Sequence, residues 1–385
     1  MKKILFVIDS LNCGGAEKSL LSLISLLDAK KYEKHLWILH RGGVLEKMVP
    51  KDVVIEQEPS YNRWERLKKR FGHLLFYFRW RYLNKKHHHH AELLWRTSGR
   101  YFKGLDDSYD IAVAYQQGVP TYIVATKIKA RKKLAWINVD IKSAGYNILY
   151  NDPFYNKMNW IVCVSELLES IMQNNMPQFT SRIRRVYDIV NPDVVRSLAQ
   201  EPLPDKIKDK TKGRLVITTV ARMAEQKNYP LALETALLLR QRGLDFVWFL
   251  VGDGPLLGYI RGMIKEKQLT DCVRALGLRI NPYPYIQAAD IYVQTSSFEG
   301  FGLTIAEAKM LCKPIVSTDF EVVYNQLQNG VNGLISPQDP KSLANAIITL
   351  AHDEALQQRF THALEGSVVG NATSEIQIAE QLFQS

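Results

Sequence analysis

Glu299-Gly300-Phe301-Gly302-Leu303-Thr304-Ile305-Ala306-Glu307-Ala308 sets two carboxylates eight positions apart, on either side of a glycine-containing turn that runs into a helix. An apolar strand, Ile291-Tyr292-Val293, and a small polar segment, Gln294 to Ser297, precede it. A helix start offers unpaired backbone N–H groups and the positive end of the dipole, which together suit phosphate. Glycines let a charged ligand approach the backbone. Glu307, two turns in, is expected to lean back toward the helix start. Two acids beside an anion site make sense together if the ligand carries hydroxyls as well as phosphate, as a nucleotide-sugar does. The plainer alternative is a loop acid at 299 and a solvated helix acid at 307.

Upstream, the strand Leu215 to Val220 runs into Ala221-Arg222-Met223-Ala224-Glu225-Gln226-Lys227. Two cations five residues apart thus leave a strand end, where ligands of open α/β sheets collect. Arginine grips phosphate oxygens with a planar fork and lysine acts as a compact charge. Two solvated loop cations are the competing explanation in a basic protein.

Outward from these elements the same strand-and-helix alternation fills the chain. Strands are predicted at Lys3 to Ile8, His35 to Leu39, Ile111 to Ala114, Lys133 to Ile137 and Trp160 to Val164. A charged stretch with Pro202 and Pro204, Ala199 to Lys212, reads as a linker. The series restarts at Leu215 and continues near Phe246 to Val251, Val273 to Leu276, Ile291 to Val293 and Pro314 to Ser317. Ala16 to Leu27, Leu343 to Leu350 and Ile376 to Phe383 read as helices. Strands separated by helices argue for parallel βαβ units, and 385 residues suit two domains better than one core.

The chain resembles the retaining glycosyltransferases of family 4, which have the GT-B fold and use nucleotide-sugar donors. Glu299 and Glu307 match the family's Glu-x7-Glu element, and Arg222 and Lys227 its Arg-x4-Lys pair. Gly14-Gly15-Ala16-Glu17 match the glycine turn after its first strand. Asn191-Pro192-Asp193 resembles the segment that closes its N-terminal half. The resemblance implies an α/β protein of two Rossmann-like parallel-sheet domains facing a cleft. Residues 1–200 would bind the acceptor, with an insert at about 61–103. Residues 201–371 would bind the nucleotide-sugar, and 372–385 would form a helix crossing back to the first domain. It further implies a hexosyl transfer with retention and without metal or other cofactor. Arg222 and Lys227 would hold the diphosphate, with backbone groups around Gly300, Phe301, Gly302 and Leu303. Glu299 would contact sugar hydroxyls and Glu307 the ribose, while Gly14, Gly15 and Gly252 would let loops approach the donor. Many relatives carry a histidine where this chain reads Trp136-Ile137-Asn138-Val139-Asp140. Asn138 or Asp140 would then orient the acceptor, a glycan or lipid-linked hydroxyl of cell-surface polysaccharide or lipopolysaccharide synthesis.

Competing motifs are weaker. Gly252-Asp253-Gly254-Pro255-Leu256-Leu257-Gly258 follows a strand as a dinucleotide-binding turn does, but Pro255 interrupts it and the acidic partner is missing. His87 to His90 lack a separate acidic or thiolate partner, and four adjacent residues cannot all face one ion on a helix. A solvated cationic run is expected there. Cys13, Cys163, Cys272 and Cys312 form neither a metal pattern nor a disulfide framework.

Composition adds one further signal. The apolar fraction of 46% and charged fraction of 23% are those of a globular protein. No run reaches membrane-spanning length and Ile4 already begins a strand, so a cytoplasmic protein is expected. The net charge of +11 concentrates in Tyr61 to Lys103, where twelve cations face Glu65 and Glu92 among interleaved aromatics. Such a segment can lie on an anionic membrane, which would place the protein peripherally at the inner face of the cell membrane. It can equally pack its aromatics on the N-terminal sheet and leave the cations solvated. A nucleic-acid partner is not expected, because no recognised binding module accompanies the charge. Two other functions fit a two-domain scaffold: a protein that binds or epimerises nucleotide-sugars, and a non-catalytic membrane scaffold.

Overall fold

The computed structural model describes residues 1–12, 14–82, 89–204, 207, 211, 213–367 and 372–385; Cys13, Lys85, Lys86, His87 and His88 lie outside them. The chain divides into two units, Met1–Ile189 with Ala372–Ser385, and Val190–Asn371.

In the first unit β1 (Lys2–Ser10), β2 (Tyr32–His40), β3 (Val53–Ile55), β4 (Ser108–Ala114), β5 (Lys129–Ile137), β6 (Trp160–Cys163) and β7 (Ile183–Arg185) form one sheet, ordered β3-β2-β1-β4-β5-β6-β7. Every pairing is parallel. Ile4 to Ile8 are fully buried, which explains their unbroken apolar run: both faces of a central parallel strand are covered. The helices are α1 (Gly15–Leu26), α2 (Arg63–Tyr82), α3 (His90–Ser98), α4 (Val119–Thr126), α5 (Ile148–Tyr155) and α6 (Glu166–Asn175).

The second unit repeats the plan. β8 (Leu215–Val220), β9 (Phe246–Val251), β10 (Val273–Gly277), β11 (Ile291–Gln294), β12 (Ile315–Thr318) and β13 (Leu334–Ser336) lie in the order β10-β9-β8-β11-β12-β13, again all parallel. Its helices are α7 (Pro192–Ala199), α8 (Tyr229–Gln241), α9 (Leu257–Glu266), α10 (Tyr283–Gln287), α11 (Leu303–Met310), α12 (Pro340–His352) and α13 (Glu354–Ser367). From β8 the chain moves outward through β9 and β10, then returns to the other side of β8 with β11. The carboxyl ends of β8 and β11 therefore flank the switch point, the place where such sheets bind ligands.

Three strands, β3, β7 and β13, escape the sequence reading. Each has three residues and stands at a sheet edge, too short to show a period. The domain boundary also shifts, from residue 200 to between 189 and 190. Asn191 starts α7, its side chain accepting from the N–H groups of Asp193 and Val194, with Pro192 in the first turn. Val195 and Ala199 are buried, and Asn281 Nδ2 donates to Leu198 O, so α7 opens the second unit. The last helix, α14 (Ala372–Gln384), returns to the first unit. Phe383 meets Phe6 and Tyr32 edge-on, at centroid distances of 6.4 and 6.1 Å, and Tyr187 N donates to Glu375 Oε2 at 2.8 Å.

Near the end of the first unit, burial pushes the carboxyl of Asp188 up to about 6, against the opposing Ser19 hydroxyl. Between the ordinary value of 3.8 and 6 the folded state holds this proton more tightly than the unfolded chain does. Stability from this group is therefore greatest in acid and falls as pH rises through that window, by roughly 3 kcal/mol in all. Urea titrations from pH 4 to pH 7 are expected to show this decline, and its removal in Asp188→Asn.

Candidate functional site

Three loops meet at the carboxyl end of the second sheet. The first follows β8 and carries Arg222 and Lys227; the second follows β9 and begins with Gly252; the third follows β11 and leads into α11. Gly252 has φ +144°, and a Cβ there would stand 2.0 Å from Ala221 O, so the second loop lies directly against the first. Ser297 N donates to Gln226 O and Thr295 Oγ1 to Lys227 O, both at 2.8 Å, joining first and third loops.

Lys227 and Glu299 form one buried pair. The ammonium is 2.6 Å from both carboxylate oxygens, with side chains 14% and 7% exposed. Gln294 Nε2 and Ser296 Oγ donate to Glu299 Oε1 at 2.7 and 2.6 Å. Gln294 Oε1 in turn accepts from the hydroxyls of Tyr292 at 2.8 Å and Thr304 at 3.3 Å. This chain of bonds ties the end of β11 to the first turn of α11 and fixes where the lysine charge sits.

α11 starts at Gly302, whose φ of 84° and ψ of 46° are left-handed, a conformation glycine adopts without strain. Gln326 Nε2 braces the turn by donating to Phe301 O at 3.2 Å, and Lys309 Nζ donates to Gln326 O at 2.7 Å. Burial holds the Lys309 ammonium below its usual range. Glu307 lies one turn inside α11, is 1% exposed, and accepts from Tyr283 Oη at 2.9 Å. It is therefore no solvated helix acid. Arg222 is exposed and has no ion pair among the described residues.

Of the expected residues, Lys227, Glu299, Gly300, Phe301, Gly302, Leu303 and Glu307 share the β11–α11 end of the unit with the β8 loop, and Gly252 borders it. Glu299 departs from its expected role, because both its oxygens face Lys227 and its first duty is to hold that ammonium. Sequence reading did not single out Gln294, Ser296, Thr304 and Tyr283 individually. The first two had a signal, a polar stretch ending an apolar strand; Tyr283 had none, since only folding brings it to Glu307.

Apart from Arg222, on the β8 loop, the remaining expected residues belong to the first unit. Gly14 precedes α1 and Gly15 is its first residue. Asn138 Nδ2 donates to Tyr115 O at 2.7 Å, and Asn138 N to Gln117 Oε1 at 3.1 Å, while Asn138 Oδ1 is buried without a hydrogen bond among the described residues. Asp140 is occupied in its own turn, accepting from Lys142 N at 2.8 Å and from the Ser143 hydroxyl. His89 stacks on Tyr146 at 3.6 Å, and burial lowers its imidazole to about 4. Among the described residues no group of His, Cys, Asp and Glu could hold a metal ion, and no helix is long and apolar enough to cross a membrane.

The basic segment splits into two different parts. α3 packs inward, with Leu93, Leu94 and Trp95 buried. α2 buries only Gly72 and Phe76 and turns most of its aromatics to solvent. The packing alternative thus describes α3 and fails for α2.

Residues 200–365, nearly all of them in the second unit, match the family model of the glycosyl transferases group 1. An uncharacterised glycosyltransferase of Methanocaldococcus jannaschii is 22% identical over 249 residues, 57% of this chain and 61% of that protein. The amylovoran biosynthesis glycosyltransferase AmsK of Erwinia amylovora is 28% identical over 159 residues, 39% of each chain. The chain thus spans less than two thirds of either curated relative. Among solved structures, Anabaena Alr3699/HepE in complex with UDP-glucose aligns over 100% of both chains with a TM-score of 0.75 at 17% identity. That likeness concerns the fold, the two-domain GT-B architecture.

Proposed function

We propose that this protein is a retaining glycosyltransferase of family 4, moving a hexose from a nucleoside-diphosphate sugar to a hydroxyl of a glycan or lipid-linked acceptor. The observation that carries the reading is the buried Lys227–Glu299 pair at the switch point, beside exposed Arg222 and the glycine-led start of α11. The barrier in such a transfer is departure of a diphosphate from an oxocarbenium-like sugar. Arg222 and Lys227 supply fixed positive charge for it, and N–H groups in the first turn of α11 supply dipoles. Because Glu299 already holds Lys227, the ammonium needs no reorganisation when the leaving charge develops. Glu307 accepts the ribose hydroxyls, and the departing phosphate takes the acceptor proton, so the reading needs neither a side-chain base nor a metal.

The named role of the relative AmsK, amylovoran biosynthesis, supports a place in cell-surface polysaccharide synthesis. The outward aromatics and cations of α2 support work at the inner face of the cell membrane on a lipid-linked acceptor. Asn138 and Asp140 stay proposed as acceptor-side residues.

A nucleotide-sugar panel tests the reading. Purified protein with donor and membrane extract should release nucleoside diphosphate and form one product of retained anomeric configuration by NMR, unaffected by chelator. Conversion of the donor's sugar without transfer would instead identify an epimerising protein, and absence of donor affinity a scaffold. Glu307→Gln should raise the donor KM about ten-fold or more, as loss of a charged hydrogen bond costs about 1.5–3 kcal/mol, with little change in kcat.

A further inference from the structure

The face of α2 outside the donor site is built in two adjoining stripes. At 100° per residue, Trp64, Leu67, Phe71, Leu74, Phe78 and Tyr82 fall within an arc of about 80°. All six are 48 to 78% exposed, although none belongs in water by its chemistry. Beside this arc run Arg66, Arg70, His73 and Tyr77, spaced i, i+4, i+7 and i+11. These four line a groove of about 730 Å³ closed on its other side by Glu58 to Tyr61.

The charges in this groove are unevenly committed. Lys69 is neutralised by Glu58 at 2.5 Å and lies over the Tyr61 ring at 4.5 Å. Arg66 and Arg70 are exposed and have no ion pair among the described residues. His73 Nε2 is buried and has no hydrogen-bond partner there. A groove with two free guanidiniums is shaped for a multiply bonded anion. The stripe alone, with its near-heptad spacing, would also suit a second copy of the chain. Charge argues against that: α2 holds seven cations and only Glu65, so self-pairing would set like charge against like. An anionic bilayer satisfies both stripes at once.

We propose that this groove holds the phosphate headgroup of a bilayer phospholipid, with the apolar stripe of α2 seated among the acyl chains beneath it. The site rests on the membrane-surface reading given above and is independent of donor chemistry. Arg66 and Arg70 grip the phosphate oxygens, His73 and Tyr77 complete the polar wall, and Lys68 and Arg79 reach headgroups on the opposite flank.

Co-sedimentation of the full chain with phosphatidylcholine vesicles tests this, doped with phosphatidate or with phosphatidylglycerol at equal surface charge. The parent should prefer phosphatidate, whose phosphate is a free monoester. The exposed pair Arg66→Gln and Arg70→Gln should weaken binding to phosphatidate vesicles about thirty-fold, from two cations at about 1 kcal/mol each, and abolish the preference. Lys68→Gln with Arg79→Gln removes equal charge and should weaken both lipids alike while keeping the preference. Equal losses in both double variants with no headgroup preference would overturn the site in favour of diffuse attraction. Binding of inorganic phosphate by a chain that does not sediment with any of these vesicles, or binding of duplex DNA without vesicles, would overturn it too. Nucleotide-sugar affinity measured on the same variants should stay at the parent level, so failure of the groove and failure of the transfer reading are separable.

Discussion

Arg222→Ala should lower transfer by roughly two orders of magnitude while leaving the melting temperature where it was. The two halves of this outcome have different causes. Arg222 is exposed on the loop after β8 and makes no ion pair among the described residues, so its removal disturbs little packing. Surface changes of that kind usually move stability within about ±0.5 kcal/mol. Under the proposed transfer its charge faces the donor diphosphate, and loss of one preorganised contact to a developing anion costs on the order of 3 kcal/mol. Steady-state kinetics and calorimetry on one preparation check both halves. Turnover within a few-fold of the parent would remove Arg222 from the diphosphate site.

Lys227→Ala should behave differently, because this lysine pairs with Glu299 inside the fold as well as facing the diphosphate in the proposed transfer. Its loss strands the Glu299 carboxylate, 7% exposed, with Gln294 and Ser296 as its remaining partners among the described residues. Breaking a buried pair from one side costs about 3–5 kcal/mol. Taking the lower figure, since two hydrogen bonds survive, the second unit should melt roughly 6–12 °C lower. Transfer should fall by about two orders of magnitude or more at a temperature where the variant is folded. The double variant Lys227→Met with Glu299→Gln removes both charges. It should recover most of the melting temperature and none of the activity, which separates the pair's catalytic share from its share in stability. Equal melting temperatures for parent and Lys227→Ala would show that the pair contributes nothing to the fold.

Legibility in the sequence followed element length and chemistry. β1, β8 and β9 stand out because a central parallel strand is buried on both faces and must be apolar throughout. The edge strands β3, β7 and β13, three residues each, carry no such run. Arg222, Lys227, Glu299 and Glu307 were visible as a family-like spacing. The wiring among them was not: that Glu299 clamps Lys227, or that Tyr283 reaches Glu307, depends on residues dozens of positions apart. The basic aromatic segment reads as one block, yet α3 became core and α2 stayed outside. Gly72 against Ser98, Thr97 and Tyr101 marks the line of contact between α2 and its neighbours, and nothing in the composition locates it.

By itself, then, the sequence determined two parallel-sheet units and the residues at the carboxyl end of the second sheet. Hydrophobic runs and strand-end chemistry are local properties, written within a few residues. Tertiary structure alone decided which charges are spent on each other and which stay open to a ligand. That division depends on burial and distance, and both exist only once separate loops have been brought to the same sheet end.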